Sequence, residues 1–470
     1  MTRDNITAPD SAIDQDSFLV FFNIESKDVE SFDIHHRKDG IYIDVTLARK
    51  PHQCPVCLSM TDKVKDYSLK KINHSILTFK KCIISYNARR YRCPKCNKTF
   101  MEHNPFTVAG SRISLATVYN ILEDLRKPNV TFSDAAQRYH VCQSTIAHIF
   151  DSFVSISRRP LPEYLLMDEV YAFKSANSKY VCVLVDFRTQ NIIDVLPSRR
   201  KQTLMDYFFS IPLDERKRVK IVSFDMWETY RIVSKIMFPN AICAVDHFHV
   251  KQEFGRKLDR VRIDVMNGYY SRKKYLEKKD NKSEAEMLEL KEASRHYYAL
   301  KKFNWMFFSN DNRIMDPNEK KTYNHVLEGY YNYYDIFDYM VRKDKVLDLA
   351  YDLKYELDAF YKNNDSKNAL KQIDELIASF RNSQIREMID FGNTLSKWKH
   401  EIVNSFVRAD GHRISNGLIE NRNKSIKLLK HSSNGYLNWN RFRQRILYSL
   451  NRDSTYHMYP IKNKGDFIRW

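Results

Sequence analysis

The chain has 470 residues, which is too long for one ordinary hydrophobic core. Because 43% of its residues are hydrophobic, the chain is too apolar for wholesale disorder. Only 10 residues are glycine, far below the ~7% of an average protein, so long helices are favoured over turn-rich β architecture. The formal net charge is +19, and basic residues are concentrated in residues 51–160 and 411–450. Such blocks fit a polyanion such as nucleic acid or, alternatively, a solvated face.

The first 50 residues are acidic and contain one strand-like alternation, Ile41–Val45. Neither a signal peptide nor a membrane span is predicted, because apolar runs such as Phe18–Phe22 and Tyr180–Val185 are shorter than the ~18–20 residues that a spanning helix needs. We therefore expect a cytoplasmic protein whose thiols stay reduced. Paired cysteines then indicate metal binding rather than disulfides.

Residues 1–107 are predicted to be an amino-terminal region that contains two Cys-Pro-x-Cys knuckles. Each knuckle turns tightly enough for both sulfurs to reach one ion, and two knuckles make the closed tetrahedral site that is typical of structural Zn²⁺. A redox dithiol or unrelated free cysteines are the alternatives. The predicted zinc ligands are Cys54, Cys57, Cys93 and Cys96.

Basic and aromatic side chains are interleaved around the second knuckle. A small zinc-stapled module with such a rim is typical of a DNA-binding element, although a purely structural knuckle is the alternative. The candidate DNA contacts are Arg89, Arg90, Arg92 and Lys95.

Residues 108–160 are predicted to be a helix-turn-helix DNA-binding domain. A first helix carries Leu115–Leu125 and ends before Pro128, and a short helix that Ser133 can cap leads through a turn at Val141 into a second helix. Any helical hairpin could produce the same pattern, so a purely structural pair of helices is the alternative. The residues expected to face DNA from the recognition helix are Gln143, Ser144, Thr145 and His148.

Residues 161–250 change to short apolar strands in the order β-β-β-α-β-α-β, which is the order of an RNase H-like core. Asp168 and Asp225 each follow a predicted strand, where open α/β sheets place their ligands. The predicted strands are Tyr164–Met167, Tyr180–Asp186, Asn191–Val195, Val219–Phe224 and Ala241–Val245.

Residues 251–400 are predicted to be an all-helical insertion, and residues 401–470 to contain the final helix of the core and a carboxy-terminal tail. That helix is expected to run from Gly417 to about Lys430. Glu420 is the only acid in its basic block, so it indicates either a metal site that binds phosphate or a surface salt bridge. The basic candidates for contact with DNA there are Arg422, Lys424 and Lys427.

Three carboxylates, Asp168, Asp225 and Glu420, can together hold two Mg²⁺ or Mn²⁺ ions for in-line phosphoryl displacement. Asp246 also ends a predicted strand and is the rival of Asp225. Asp246 and His249 are otherwise candidates for support of the site, with a hydrogen-bonded structural histidine as the alternative.

The chain resembles the ISL3 family of bacterial insertion-sequence transposases in a combination of motifs. These motifs are CPxC…CPxC, MDEV, FDMWETY, FPNA…VDHFH and SNGLIENRNKSIKLLK…GY…FRQRIL. The resemblance covers nearly the whole chain. It implies a DDE transposase with an RNase H-like fold, a zinc-binding amino-terminal region and a helical insertion. It also implies that Asp168 of MDEV, Asp225 of FDMWETY and Glu420 of SNGLIEN are the catalytic acids.

The function that follows is a DNA transposase that binds the terminal inverted repeats of an insertion sequence, hydrolyses a phosphodiester bond and joins the end to target DNA. We expect a homodimer or higher oligomer on double-stranded DNA, associated with the bacterial nucleoid. The alternatives are a sequence-specific DNA-binding regulator with an unused catalytic domain and a metal-dependent nuclease without strand transfer.

Overall fold

A computed structural model describes residues 15–20, 22–76, 80–108, 110–173, 178–309, 312–433 and 435–461. The chain forms two compact units, which confirms the prediction of a multidomain α/β protein. The first unit consists of residues 1–158 and 424–470, and the second of residues 159–423. Among the described residues, no helix is both long and apolar enough to cross a membrane.

The first unit begins with a five-stranded sheet. Its elements are α1 (Gln15–Val20), β1 (Val29–Arg37), β2 (Gly40–Leu47), β3 (His52–Gln53), β4 (Met60–Thr61), β5 (Val64–Asn73), β6 (Lys81–Arg92) and β7 (Thr99–Met101). The sheet order is β1-β2-β6-β5, with β7 paired to β6, and β2 runs parallel to β6. The predicted alternation in β2 is confirmed, since Ile41, Ile43 and Val45 are all buried. Gly40 is needed here, because a Cβ atom would lie 2.4 Å from the carbonyl oxygen of Lys81.

Three helices follow the sheet: α2 (Leu115–Leu125), α3 (Phe132–Arg138) and α4 (Gln143–Phe153). Thr131 caps α3 and forms a capping box with Asp134. The prediction that Ser133 caps this helix is therefore wrong, because Thr131 is the residue that can exchange hydrogen bonds with an acid three positions later. The turn between α3 and α4 contains His140 with a positive φ of 53°.

The second unit is built on another five-stranded sheet. Its elements are β8 (Tyr164–Tyr171), β9 (Tyr180–Asp186), β10 (Ile192–Leu196), α5 (Lys201–Phe209), α6 (Leu213–Lys217), β11 (Ile221–Phe224), α7 (Glu228–Met237) and β12 (Ile242–Val245). The sheet order is β10-β9-β8-β11-β12. Strand β9 is antiparallel to both of its neighbours, whereas β11 is parallel to β8 and to β12. The five strands predicted from sequence are all present.

Strand β8 is longer than predicted. It continues through Asp168 to Tyr171, because Asp168 pairs with Val183 in the antiparallel hairpin with β9. On its other side β8 pairs with β11 only as far as Leu166, which lies opposite Ser223. Asp168 therefore does not end its strand as expected, but lies just beyond the parallel pairing.

Residues 247–413 are largely helical. Their elements are α8 (His247–Lys278), α9 (Glu284–Lys302), β13 (Thr322–Asn324), β14 (Gly329–Tyr331), α10 (Tyr333–Arg342), α11 (Lys345–Asn363), α12 (Ala369–Asn382), α13 (Arg386–Lys397), α14 (Lys399–Asn404), β15 (Arg408–Ala409) and β16 (His412–Arg413). The prediction of an all-helical insertion is wrong for β13 and β14, which form a hairpin. The Asn324 side chain accepts hydrogen bonds from the amides of Val326 and Leu327 and so holds the turn.

Two helices complete the described chain, α15 (Gly417–Ser432) and α16 (Trp439–Leu450). The prediction of a helix from Gly417 to about Lys430 is confirmed. Within the first unit α16 packs against the helices that follow the first sheet. Tyr448 donates a 2.9 Å hydrogen bond to the carbonyl of Leu122, and buried Arg445 donates one of 2.7 Å to the carbonyl of Val130.

Candidate active site

Three acidic side chains converge beside β8 and β11. Carboxylate oxygens of Asp168, Glu169 and Asp225 all lie within 4.8 Å of one another. The strand register explains why the two aspartates are close together. Leu166 of β8 lies opposite Ser223 of β11, and Asp168 and Asp225 each come two residues after these paired residues. Because the pairing is parallel, both aspartates extend from the same edge of the sheet.

Burial and mutual repulsion shift the titration of these acids. Asp168 is 7% exposed, and burial, followed by the charge of Glu169, raises its pKa to about 7. Burial, followed by the charges of Glu169 and Asp168, raises the pKa of Asp225 to about 8. Since the ionised forms are disfavoured without a counter-charge, the site favours a bound cation.

Two oxygen atoms in this cluster have no hydrogen-bond partner among the described residues. They are Oδ1 of Asp225 and Oε2 of Glu169, and both are buried. An unpartnered buried carboxylate oxygen costs free energy unless a ligand or ion satisfies it. Clustered carboxylate oxygens are the donors that Mg²⁺ and Mn²⁺ prefer, so the residues present fit a divalent ion.

Glu169 is the acid that the sequence reasoning missed. Strand alternation places neighbouring residues on opposite faces of a sheet, so it does not by itself bring the two acids of MDEV to one site. The Asp168 carboxylate, however, accepts a 2.7 Å hydrogen bond from the amide of the next residue, Glu169, and therefore lies close to the Glu169 backbone. Arg199 forms an ion pair with Glu169 and holds it in place. The signal in the sequence was two consecutive acids in an otherwise apolar strand.

Glu420 lies in the first turn of α15 and is partly buried. It is outside the 4.8 Å cluster of described residues, but its charge contributes to the raised pKa of Asp168. Asn423, one turn further along, is buried and donates a 2.8 Å hydrogen bond to Oδ2 of Asp168. The helix face that carries Glu420 is therefore directed towards the aspartates.

Asp246, the predicted rival of Asp225, has a different set of contacts. It is 1% exposed, caps α8 through the amide of Phe248, and accepts a 3.2 Å hydrogen bond from the amide of Asn416. Burial alone would raise its pKa, but the ion pair with His247 and the charge of His249 outweigh burial and lower it. Asp246 thus joins the start of α8 to the start of α15 as an anion. His249 has a buried Nε2 atom with no partner among the described residues.

The four knuckle cysteines are brought together in the first unit. Sγ of Cys54 lies 3.6 Å from Sγ of Cys96, and Sγ of Cys57 lies 3.5 Å from Sγ of Cys93. A tetrahedral site with ~2.3 Å Zn–S bonds separates its sulfurs by about 3.8 Å, so the donor set fits Zn²⁺. The Ser59 hydroxyl and amide lower the pKa of Cys57 to about 6, which favours the thiolate that binds metal.

The two knuckles are built alike. In each, the first cysteine accepts a 2.9 Å hydrogen bond at its carbonyl from the amide four residues later, Leu58 or Asn97. Both of these residues have positive φ, 60° and 59° respectively. Repetition of the same tight turn points the paired sulfurs inward, as expected from the Cys-Pro-x-Cys spacing.

The predicted DNA contacts of the zinc module differ in exposure. Arg92 and Lys95 are exposed, and Arg90 is partly exposed beside Asp66. Arg89 is only 2% exposed and forms ion pairs with Glu30 and Glu102. The prediction that Arg89 contacts DNA is therefore wrong, because its guanidinium is used inside the fold.

The other predicted DNA contacts lie on helix surfaces. Gln143, Ser144 and His148 are exposed on α4, and Thr145 is partly exposed. On α15 the lysines Lys424 and Lys427 are exposed, whereas Arg422 is partly buried and donates a 2.8 Å hydrogen bond to the carbonyl of Gln190. All of these except Arg422 can reach a ligand without rearrangement.

Comparison with known proteins identifies the family. A zinc-finger model of the transposases of IS204, IS1001, IS1096 and IS1165 matches residues 50–96, which include all four cysteines. The transposase for insertion sequence element IS1001 of Bordetella parapertussis is 24% identical over 233 residues, which cover 48% of this chain and 56% of that protein. The chain thus spans little more than half the length of this curated relative. An ISL3 transposase model with a DDE domain matches residues 165–446, more than half of the chain, and the chain therefore belongs to the ISL3 family of transposases.

Proposed function

We propose that the protein is a DNA transposase that binds the terminal inverted repeats of an insertion sequence and catalyses metal-dependent hydrolysis and strand transfer. The observation that carries this proposal is the carboxylate cluster formed by buried Asp168 with partly buried Glu169 and Asp225. Raised pKa values and unpartnered oxygens in one cluster fit a cation site better than a structural ion pair.

The second unit is proposed to be an RNase H-like catalytic core. Support comes from the sheet order β10-β9-β8-β11-β12, in which the first three strands are a meander and the last two are reached by helical crossovers. Asp168 and Asp225 then belong to the central strands, and Glu420 approaches from α15. The proposed boundaries are residues 161–250 for the first part of the core and 251–400 for the insertion, and the core resumes at residue 401. The tail that follows the Glu420 helix is not part of this core, because residues 424–470 belong to the first unit.

Asp168, Asp225 and Glu420 are the proposed catalytic acids and would hold Mg²⁺ or Mn²⁺, with Glu169 as a fourth acid at the site. Bound divalent ions supply Lewis-acid activation of the attacking oxygen and stabilise the leaving oxygen. The protein's own residues orient the acids, since Asn423 holds Asp168 and Arg199 holds Glu169. Asp246 and His249 are proposed to support the start of α15 rather than to bind metal.

The first unit is proposed to supply DNA binding. Its zinc-binding module, in residues 1–107, would use Arg90, Arg92 and Lys95, and residues 108–160 would form a helix-turn-helix with α4 as the recognition helix. Lys424, Lys427 and, after rearrangement, Arg422 are further candidates for contact with phosphates. Terminal inverted repeats and target DNA are the proposed ligands, bound by a homodimer or higher oligomer in the cytoplasm at the nucleoid.

The test uses purified protein, Mg²⁺ and DNA that carries the inverted repeats flanking the native gene. A nick at the repeat boundary that is lost in Glu420→Gln is the expected result. Asp225→Asn should still bind the ends but cut nothing, because the amide cannot replace a charged ligand. Cleavage retained by Asp225→Asn would refute the assignment of that residue.

Two other outcomes identify the alternatives. Tight binding to the repeats without any metal-dependent nick would indicate a regulator with an unused site. Cleavage without joining of the exposed 3′-hydroxyl to a second duplex would indicate a nuclease.

A further inference from the structure

A cavity of about 420 Å³ lies next to the carboxylate cluster in the second unit. Its volume falls in the range of about 300–1,000 Å³ that is typical of pockets for small organic ligands. The described residues that line it include four cations and two aromatic rings, and none of them is acidic. These six are Lys179, Tyr180, Arg199, Arg200, Lys201 and Trp227.

The aromatic rings of the cavity are partly exposed, and the Arg199 guanidinium packs on both of them. Trp227 is 40% exposed and Tyr180 is 39% exposed. The guanidinium carbon of Arg199 lies 4.2 Å from the centre of the Trp227 ring and 4.5 Å from that of Tyr180. Because this contact fixes the two rings, their open surface is ready to stack on a planar group such as a nucleobase.

Two helices begin at the cavity. Arg200 is the N-cap of α5 and Trp227 the N-cap of α7, and neither cap side chain bonds to the first turn of its helix. In the described part of the chain, the first-turn amides of both helices thus receive no hydrogen bond from their N-cap side chain. The partial positive charge of each helix start adds to the charges of Arg200 and Lys201, so the rim favours a phosphate.

The cavity is linked to the carboxylates by two residues. Arg199, which lines it, forms an ion pair with Glu169. Trp227 follows Asp225 by two positions, and its amide donates a 2.7 Å hydrogen bond to the carbonyl of Asp225. A group bound in the cavity would therefore lie beside the bond that the carboxylate site acts on.

We infer that this cavity binds one nucleotide that has been unstacked from the DNA duplex beside the cut, with its base on Trp227 and its phosphate near Arg200 and Lys201. The inference rests on the proposed function and adds to it a binding site for an unpaired base. Unstacking costs free energy, which stacking on an aromatic ring and contact with cations offset. The bound nucleotide then holds the adjacent phosphodiester at the acids.

The test measures binding without Mg²⁺, so that it does not depend on cleavage. The probes are duplexes of the native inverted repeat and its flank, in which one nucleotide near the cut is either an unpaired base or an abasic site, scanned position by position. At one position the wild-type protein should bind the unpaired base about tenfold more tightly than the abasic site, within the range expected for one stacked base. Trp227→Ala should bind both probes equally.

Trp305→Ala is the matched control, because Trp305 is a tryptophan of similar exposure, 37%, that is remote in sequence and packs on Tyr333. It should discriminate as the wild type does. Trp227→Phe keeps a ring and should retain part of the preference, which separates loss of stacking from loss of folding.

Equal affinity of the wild type for base and abasic probes at every position, or an undiminished preference in Trp227→Ala, would overturn the inference. If Mg²⁺-dependent cleavage of the unmodified repeat still occurred in that case, the proposed function would stand and only the nucleotide site would fail. If the wild type bound none of the probes, both proposals would fail.

Discussion

At the scale of single residues, the acids of the second unit serve two purposes. Asp168, Glu169 and Asp225 converge with raised pKa values or unpartnered oxygens. Asp246 is more deeply buried, yet its pKa is lowered because backbone amides and His247 stabilise its anion. Exposure alone does not distinguish these two kinds of acid, whereas the hydrogen bonds around each carboxylate do.

The raised pKa values predict a pH dependence of stability. Folding raises the pKa of Asp168 and Asp225, so the folded state binds their protons more tightly than the unfolded state does. The free energy of unfolding of the metal-free protein should therefore fall by several kcal/mol as pH rises from about 4 to about 8. Urea unfolding in Mg²⁺-free buffer at several pH values measures this loss.

Asp225→Asn is the comparison for that experiment. Because its amide does not ionise, the variant should become more stable relative to the wild type as the pH is raised. Mg²⁺ should reduce this difference in the free energy of unfolding between the two proteins. Identical pH slopes for the two proteins would show that folding does not raise the pKa of Asp225.

Glu169→Gln tests the acid that sequence reasoning missed. The loss of its charge should raise the Mg²⁺ concentration needed for half-maximal cleavage by about 10- to 100-fold, which is the usual effect of mutating a residue that supports the metal ligands. Glu163→Gln is the control, because Glu163 precedes the same strand but pairs at the surface with Arg188 and Lys220. An unchanged metal requirement in Glu169→Gln would place this residue outside the metal site.

At the scale of elements, the site depends on the contact between β8 and α15. Asn423 donates to Asp168 across 255 residues of sequence, and Ser223 of β11 donates to Asn416, which precedes α15. Each polar group is buried. These hydrogen bonds, rather than Glu420 alone, fix the face that the helix presents to the acids.

Asn423→Ala should separate this positioning role from metal binding. Removal of the amide leaves one buried oxygen of Asp168 without its donor, so cleavage should fall while binding to the inverted repeat in the absence of metal is retained. The control is Asn421→Ala, the same substitution at an exposed position of the same helix. Equal cleavage by both variants would contradict a positioning role for Asn423.

The zinc knuckles give a prediction for the first unit. Cys93→Ser should abolish stoichiometric zinc and destabilise the zinc module, because three thiolates no longer close the tetrahedral site. Cys142→Ser should keep its zinc, since Cys142 is exposed at the start of α4 and outside the knuckles. Zinc content by atomic absorption checks both variants, and full zinc in Cys93→Ser would exclude the proposed ligand set.

At the scale of the whole molecule, local patterns predicted much of what the structure contains. Strand positions, the four cysteines and the helix that carries Glu420 follow from short-range periodicity and spacing. Glu169 was missed because strand alternation does not reveal that the Asp168 carboxylate bonds to the amide of the next residue. The hairpin of β13 and β14 was missed because two three-residue strands are too short to produce a clear alternation.

The remaining differences come from contacts between residues far apart in sequence. Arg89 lies in a basic, aromatic stretch like its neighbours, and only the positions of Glu30 and Glu102 make it an internal cation. The packing of α16 with α2 likewise joins residues more than 300 positions apart, such as Tyr448 and Leu122. No spacing rule covers separations of this size.

That packing bears on how the protein is made. Because Tyr448 belongs to the same hydrophobic cluster as Ile121, Leu122 and Phe150, the helices after the first sheet lack part of their core until α16 has been synthesised. Chains grow from the amino terminus at about 5–20 residues per second, so α16 is synthesised tens of seconds after the helices against which it packs. An interrupted translation product would carry the residues proposed to bind DNA without the helix that stabilises them.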